Sequence, residues 1–172
     1  SPDGRDGMLN HCRQFRAAGI PFVFDPGQGM PLFSGEELLE MVELADYVTL
    51  NDYEAELLQM RTGLGLDALA DRVKCLVVTR GEAGSHFYAD GRAFDIPVVA
   101  ARAVVDPTGC GDAFRAGLLY GIAHGWDWET TGRLASVMGS LKIECRGGQN
   151  HAPARADIAA RARAAFGQPL LD

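Results

Sequence analysis

No apolar run in this sequence approaches the ~20 residues that a bilayer-spanning helix needs, and Ser1–Gly7 is polar and acidic, without the apolar centre of a secretory signal. Basic charge is scarce. Sixteen Lys and Arg stand against 23 Asp and Glu, a net charge of −7 at pH 7 with a pI near 5.0. That balance argues against sequence-independent binding to nucleic acid or to an anionic membrane, and it suits a soluble cytoplasmic enzyme of small molecules. The cysteines, at 12, 75, 110 and 145, form no Cys-x-x-Cys pair, which disfavours a disulfide framework or a zinc site and points to reduced thiols. The histidines, at 11, 86, 124 and 151, show no metal-ligand spacing. Repeats, low-complexity tracts and Pro/Ser-rich linkers are also missing, so residues 1–172 read as one domain.

What is present is an alternation of short apolar strands with amphipathic helices. A hydrophobic content of 47% and a charged content of 23% are those of an ordinary globular chain with a real core. Ser1–Gly7 reads as a loop, and the spacing of Leu9, Cys12 and Phe15 predicts a helix over Met8–Ala18 that stops at Gly19. Strands are predicted at Pro21–Asp25, Tyr47–Leu50 and Cys75–Thr79, and helices at Glu36–Leu44, behind a Ser34/Glu37 capping box, and at Asn51–Met60. Ser85–Ala89 and Arg92–Val98 read as a hairpin turning at Asp90-Gly91. Helices follow at Ala113–His124, Glu129–Glu144 and Ala156–Phe166. The pattern is that of an α/β fold: a mostly parallel sheet with helices on both faces, in three layers. In such sheets ligands collect beyond the carboxyl ends of the strands, where Asp25, Asn51, Thr79–Gly81 and the loop Asp106–Asp112 stand.

The most informative stretch is Asp106-Pro-Thr-Gly-Cys-Gly-Asp-Ala-Phe-Arg-Ala-Gly117. Glycines flank Cys110 on both sides, so the backbone can turn sharply and approach a ligand closely. The helix that follows offers unpartnered amides and a positive dipole end, an arrangement that attracts phosphate. A carboxylate at the lip of such a site is electrostatically costly, and that cost is tolerated where the group must accept a proton. On local chemistry alone an equal claim belongs to the plainer reading, in which Asp112 is a helix N-cap and the glycines merely turn the chain.

The whole string resembles the C-terminal signature of the PfkB-type carbohydrate and nucleoside kinases, the ribokinase-like family, with Cys110 where Ala or Gly is commoner. The resemblance implies a ribokinase-like fold and in-line transfer of the ATP γ-phosphoryl group to a substrate hydroxyl. Asp112 would act as general base, with the amides of Gly109, Cys110 and Gly111 as the anion hole. It also gives a second meaning to three other places. Asn51 and Glu54 have the spacing of an N-cap and capping box, the reading their spacing favours; in the family an Asn-x-x-Glu motif here organises Mg²⁺ through water. Thr79-Arg80-Gly81 is by itself a strand exit, and by resemblance a nucleotide contact. Arg146-Gly147-Gly148-Gln149 suits a helix C-terminus; by resemblance it borders the adenine pocket, Gly148 included, and gives carbonyls to a monovalent-cation site, often K⁺, which Asp106 and Thr108 would complete.

The resemblance covers the C-terminal three-fifths of such a kinase. The Gly-Gly sugar-binding element and the small β lid of the family are not found, so the piece alone is expected to be truncated at its N-terminus and inactive or nearly so. Family dimers commonly use that lid, which leaves a homodimer open. The form of the signature looks most like bacterial adenosine-kinase-like members, with a ribokinase or fructokinase-type sugar kinase as the near alternative and an idle nucleotide-binding module as another. A Rossmann dehydrogenase is disfavoured, because no Gly-x-Gly-x-x-Gly follows the first strand.

Overall fold

The computed structural model describes residues 4–171. Beyond Gly4 the chain is helical at once: α1 spans Arg5–Ala17. The loop expected over Ser1–Gly7 is therefore corrected for Arg5–Gly7, and its first residues, Ser1–Asp3, lie outside the described part. Then come β1 (Val23–Phe24), α2 (Gly35–Leu44), β2 (Tyr47–Asn51), α3 (Asp52–Thr62), α4 (Leu66–Ala70), β3 (Cys75–Thr79), β4 (Ser85–Ala89), β5 (Arg92–Ile96), α5 (Cys110–Ala123), α6 (Trp128–Ile143) and α7 (Arg155–Phe166). The described residues gather into two compact units, one reaching to Arg80 and including His86–Phe94, the other holding Gly81–Ser85 and the residues from Asp95 onward.

The five strands form one sheet in sequence order. β1, β2 and β3 run parallel, Phe24 beside Val48 and Val48 beside Leu76. Because strand side chains alternate, Phe24, Val48, Leu50, Leu76 and Val78 share one face, and all are buried in a core with Leu38, Met41 and Val42 of α2 and Leu58 of α3. Thr49 and Val77, on the opposite face, are buried too. That explains why β3 reads as an unbroken apolar run rather than an alternating one. The hairpin β4–β5 turns on Asp90 and Gly91, both at positive φ (53° and 69°), as a two-residue type I′ turn requires.

The predicted capping box at Ser34 and Glu37 is formed. A 3₁₀ turn over Gly27–Leu32 and the short helix α4 were not predicted; both are too brief for a period to show.

In the second unit α5 and α6 lie backbone to backbone. A Cβ on Gly117 would stand 2.6 Å from the Cα of Ala135, so only glycine lets the helices approach so closely. Val99, Leu134, Val137, Ile158, Ala162 and Leu170 form this unit's core, with Trp126 packed against it. Asp127 caps α6, its Oδ1 accepting the Thr130 amide at 2.8 Å. Arg161 of α7 is an internal charge, 9% exposed. Its Nη2 lies 2.8 Å from Glu144 Oε1, and its Nη1 donates to Ser140 Oγ at 3.1 Å. Burial alone would raise the Glu144 pKa, but the Arg102 amide and the Arg161 guanidinium outweigh it and hold the carboxyl below its ordinary range.

Candidate active site

The helix after the glycine turn begins earlier than its apolar pattern suggests. Its N-cap is Gly109, at φ 81°, and Cys110 is the first helical residue. Asp112 is thus the third residue of α5 and not its cap, an acidic first-turn position that meets the positive end of the helix dipole. Gly109 is needed twice over. Its φ lies in the left-handed region, and a Cβ there would stand 2.9 Å from the carbonyl oxygen of Gly148. The two glycine-containing loops therefore meet backbone against backbone.

Asp106 ties them together. Its Oδ1 accepts the Thr108 amide at 2.9 Å and its Oδ2 accepts the Gly147 amide at 2.7 Å. The Gly147 amide, and after it that of Thr108, pull the Asp106 pKa down to about 2. The amides of Val105 and Asp106 both donate to the Ile143 carbonyl at the end of α6 (2.9 and 3.1 Å).

A depressed carboxylate pKa means stability that is full above the unfolded-state value of about 3.9 and is lost as pH falls toward the folded value. Asp106→Ala is therefore expected to flatten the loss of stability between about pH 4 and pH 2 relative to the parent chain. Urea midpoints measured across that window check this; parallel acid limbs in parent and variant would contradict it.

Of the three amides assigned to an anion hole, that of Cys110 donates to the Pro107 carbonyl at 3.1 Å. Those of Gly109 and Gly111 meet no acceptor among the described residues, and neither does that of Asp112. The open donors at the helix start are accordingly Gly109, Gly111 and Asp112. The Asp112 side chain is 75% exposed, and its Oδ1 pairs with Arg115 Nη2 at 2.7 Å one turn along. The same guanidinium lies over Gly111, where a Cβ would come within 3.1 Å of Nη1. The thiol of Cys110 points back toward the Asp106 carbonyl (3.9 Å), and partial burial raises its pKa, so it is no activated nucleophile.

A group that sequence reasoning missed stands beside the turn. Lys142, completely buried on α6, donates from Nζ to the carbonyl oxygens of Asp106 at 3.1 Å and Cys145 at 3.0 Å. A signal was there to be read, for Lys142 is one of only two lysines in the chain and sits two turns from Ala135 on the buried stripe of its helix.

Thus Asp106, Thr108, Gly109, Cys110, Gly111, Asp112 and Gly148 are brought together in the second unit, which also holds Gly81 at the head of a 3₁₀ turn. Asn51, Glu54, Thr79 and Arg80 lie in the first unit. There Asn51 and Thr79 are register partners at the carboxyl ends of β2 and β3, and Arg80 follows directly on β3. Asn51 Oδ1 accepts the Glu54 amide while Glu54 Oε2 accepts the Asn51 amide, both at 2.8 Å. The capping box is therefore real. It leaves Glu54 Oε1 outside the box. Among the described residues no helix is long and apolar enough to cross a membrane, and no three His, Cys, Asp or Glu cluster as a metal site.

Residues 6–155 match the profile of the pfkB family carbohydrate kinases. A nucleoside kinase of Burkholderia thailandensis, solved in complex with inosine, is 54% identical and superposes with a TM-score of 0.94 over 96% of this chain and 55% of that one. A nucleoside kinase of Methanocaldococcus jannaschii is 37% identical over 130 residues, 76% of this chain and 43% of the relative. A ribokinase of Lactococcus lactis is 31% identical over 124 residues, 72% of this chain and 40% of the relative. The chain spans about half the length of the curated relatives it matches. The family match covers most of the sequence, and this chain belongs to the pfkB family of carbohydrate kinases.

Proposed function

We propose that the polypeptide carrying this chain transfers the γ-phosphoryl group of ATP to a hydroxyl of a nucleoside, adenosine being the first choice and other purine nucleosides next. The observation that carries the reading is the turn at residues 106–112, with open amides at Gly109, Gly111 and Asp112 beside an exposed carboxylate. The Burkholderia relative has also been solved with ADP-inosine, which supports a nucleotide and a nucleoside as the two substrates.

In this reading the acceptor hydroxyl gives its proton to Asp112 as its oxygen attacks the γ-phosphorus and the bond to the β-phosphate oxygen breaks. The three amides donate to the charge that spreads over the transferring group, at a helix start where the dipole adds to them. Arg115 orients the Asp112 carboxylate. Thr79, Arg80, Gly81 and Gly148 are assigned to the nucleotide. Mg²⁺ keeps most of its waters and takes phosphate oxygens, so the donor set suits it: Glu54 Oε1 would hold it through water. The metal would neutralise charge on the phosphates.

The monovalent cation implied by the resemblance does not fit. Asp106, which would complete that site, already accepts the Lys142 ammonium at its carbonyl and one amide at each carboxylate oxygen. A second positive charge bound at Asp106 would be repelled by that ammonium.

The test is a phosphoryl-acceptor panel on the longest natural polypeptide that contains this chain, with ADP release followed for adenosine, inosine, ribose and fructose. Nucleosides are expected to exceed sugars in kcat/KM. Preference for ribose would favour a sugar kinase, the reading that the Lactococcus ribokinase supports. ATP protection against heat without ADP release from any acceptor would leave a nucleotide-binding module.

A further inference from the structure

A buried ammonium needs a reason. Lys142 is completely enclosed, and an amine taken from water without partners is strongly disfavoured. Its partners are main-chain carbonyls on both sides of the α6 terminus: Asp106, which opens the glycine turn, and Cys145, which leads to Gly147 and Gly148. Lys142 therefore bridges the same two loops that the Asp106 carboxylate bridges through the amides of Thr108 and Gly147. One residue offers carbonyl and carboxylate, and the charge that balances them is delivered on a side chain. A loose ion held by carbonyls would occupy the same kind of place and do the same work, but it could leave.

We infer that Lys142 is a tethered monovalent cation: its ammonium replaces a bound alkali ion in holding the 106–112 turn to the loop at 145–148, so that this chain is indifferent to K⁺. It rests on the reading of the turn as the phosphate-binding element, but the order of the turn can be measured without any turnover. Lys142 acts through Asp106 and is a positioning residue, not a catalytic one.

The experiment follows thermal unfolding of the full chain in chloride salts of K⁺, ammonium and tetramethylammonium at equal ionic strength, for the parent, Lys142→Met and Lys142→Ala. The parent is expected to unfold at the same midpoint in all three salts. Lys142→Met, whose thioether side chain still fills the space, is expected to fall equally in all three. Lys142→Ala opens a hole lined by the orphaned carbonyls. It is expected to fall furthest in tetramethylammonium and to recover by several degrees, saturably, in K⁺ or ammonium. A side chain that merely filled space would give no such ion-specific recovery. A saturable, K⁺-specific rise of several degrees in the parent overturns the inference, and so does a folded Lys142→Ala that ignores the cation. Should Lys142→Ala fold in no salt, the milder truncation Lys142→Val takes its place: saturable recovery in K⁺ or ammonium supports the inference, and a folded Lys142→Val that ignores the cation, or a K⁺ response in the parent, refutes it. None of these readings depends on phosphoryl transfer, so failure of the kinase assignment would be seen separately in the acceptor panel.

Discussion

Asp112→Asn is expected to lower phosphoryl transfer by roughly 10²- to 10⁴-fold, the usual worth of a positioned general base. The expectation has two parts. Asparagine keeps the shape of the side chain and can still accept from Arg115, but it cannot take the acceptor's proton. The fold should hardly notice, because the carboxylate is 75% exposed and its ion pair with Arg115 is a surface one, worth about 0–1 kcal/mol. Nucleotide affinity should also persist, since the open amides belong to the backbone. Single-turnover kinetics and a nucleotide titration on the polypeptide used for the acceptor panel separate these effects. Near-full turnover in the variant would remove Asp112 from the mechanism, and joint loss of binding and stability would assign it a structural role instead.

Arg161→Ala should produce the largest loss of stability. Removing one member of a buried ion pair leaves the other charge without its partner, at a cost of about 3–5 kcal/mol. Side-chain exposures of 9% for Arg161 and 19% for Glu144 place this pair toward the lower end, about 3 kcal/mol. For a chain of this length that corresponds to a fall in melting temperature of roughly 6–12 °C. The double variant Arg161→Met/Glu144→Leu should recover much of the loss, because an apolar pair of similar volume removes both charges together. Thermal unfolding followed by circular dichroism checks both. An Arg161→Ala protein that melts within a degree of the parent would show that solvent already satisfies Glu144.

How much of this could be read beforehand depended on how strongly local chemistry dictates structure at each place. β3, Cys75–Thr79, stands where its apolar run puts it, because a strand buried on both faces admits little else. The Asp90-Gly91 hairpin and the Ser34 capping box followed from dihedral and donor requirements that few residues meet. The start of α5 was placed too late. Its cap is a glycine at positive φ, which carries no side-chain signal. The fold's most unusual charge, Lys142, escaped notice because helix periodicity treats a lysine as solvent-facing, and only its position on the Ala135 stripe contradicts that. The glycines and the carboxylate of the signature loop could be read from the sequence, but which of its amides stay open could not. That follows from the hydrogen bond of Cys110 to Pro107, a detail of turn geometry.

The threefold attachment of the glycine turn to the end of α6, through a carboxylate, a pair of amides and an ammonium, has a consequence for recognition. These contacts tie the loop down in the folded chain, so the anion proposed to bind there would not have to freeze it and would lose little entropy on arrival. Preorganisation of this kind lets a few exposed donors discriminate a transient, highly charged species from its resting forms.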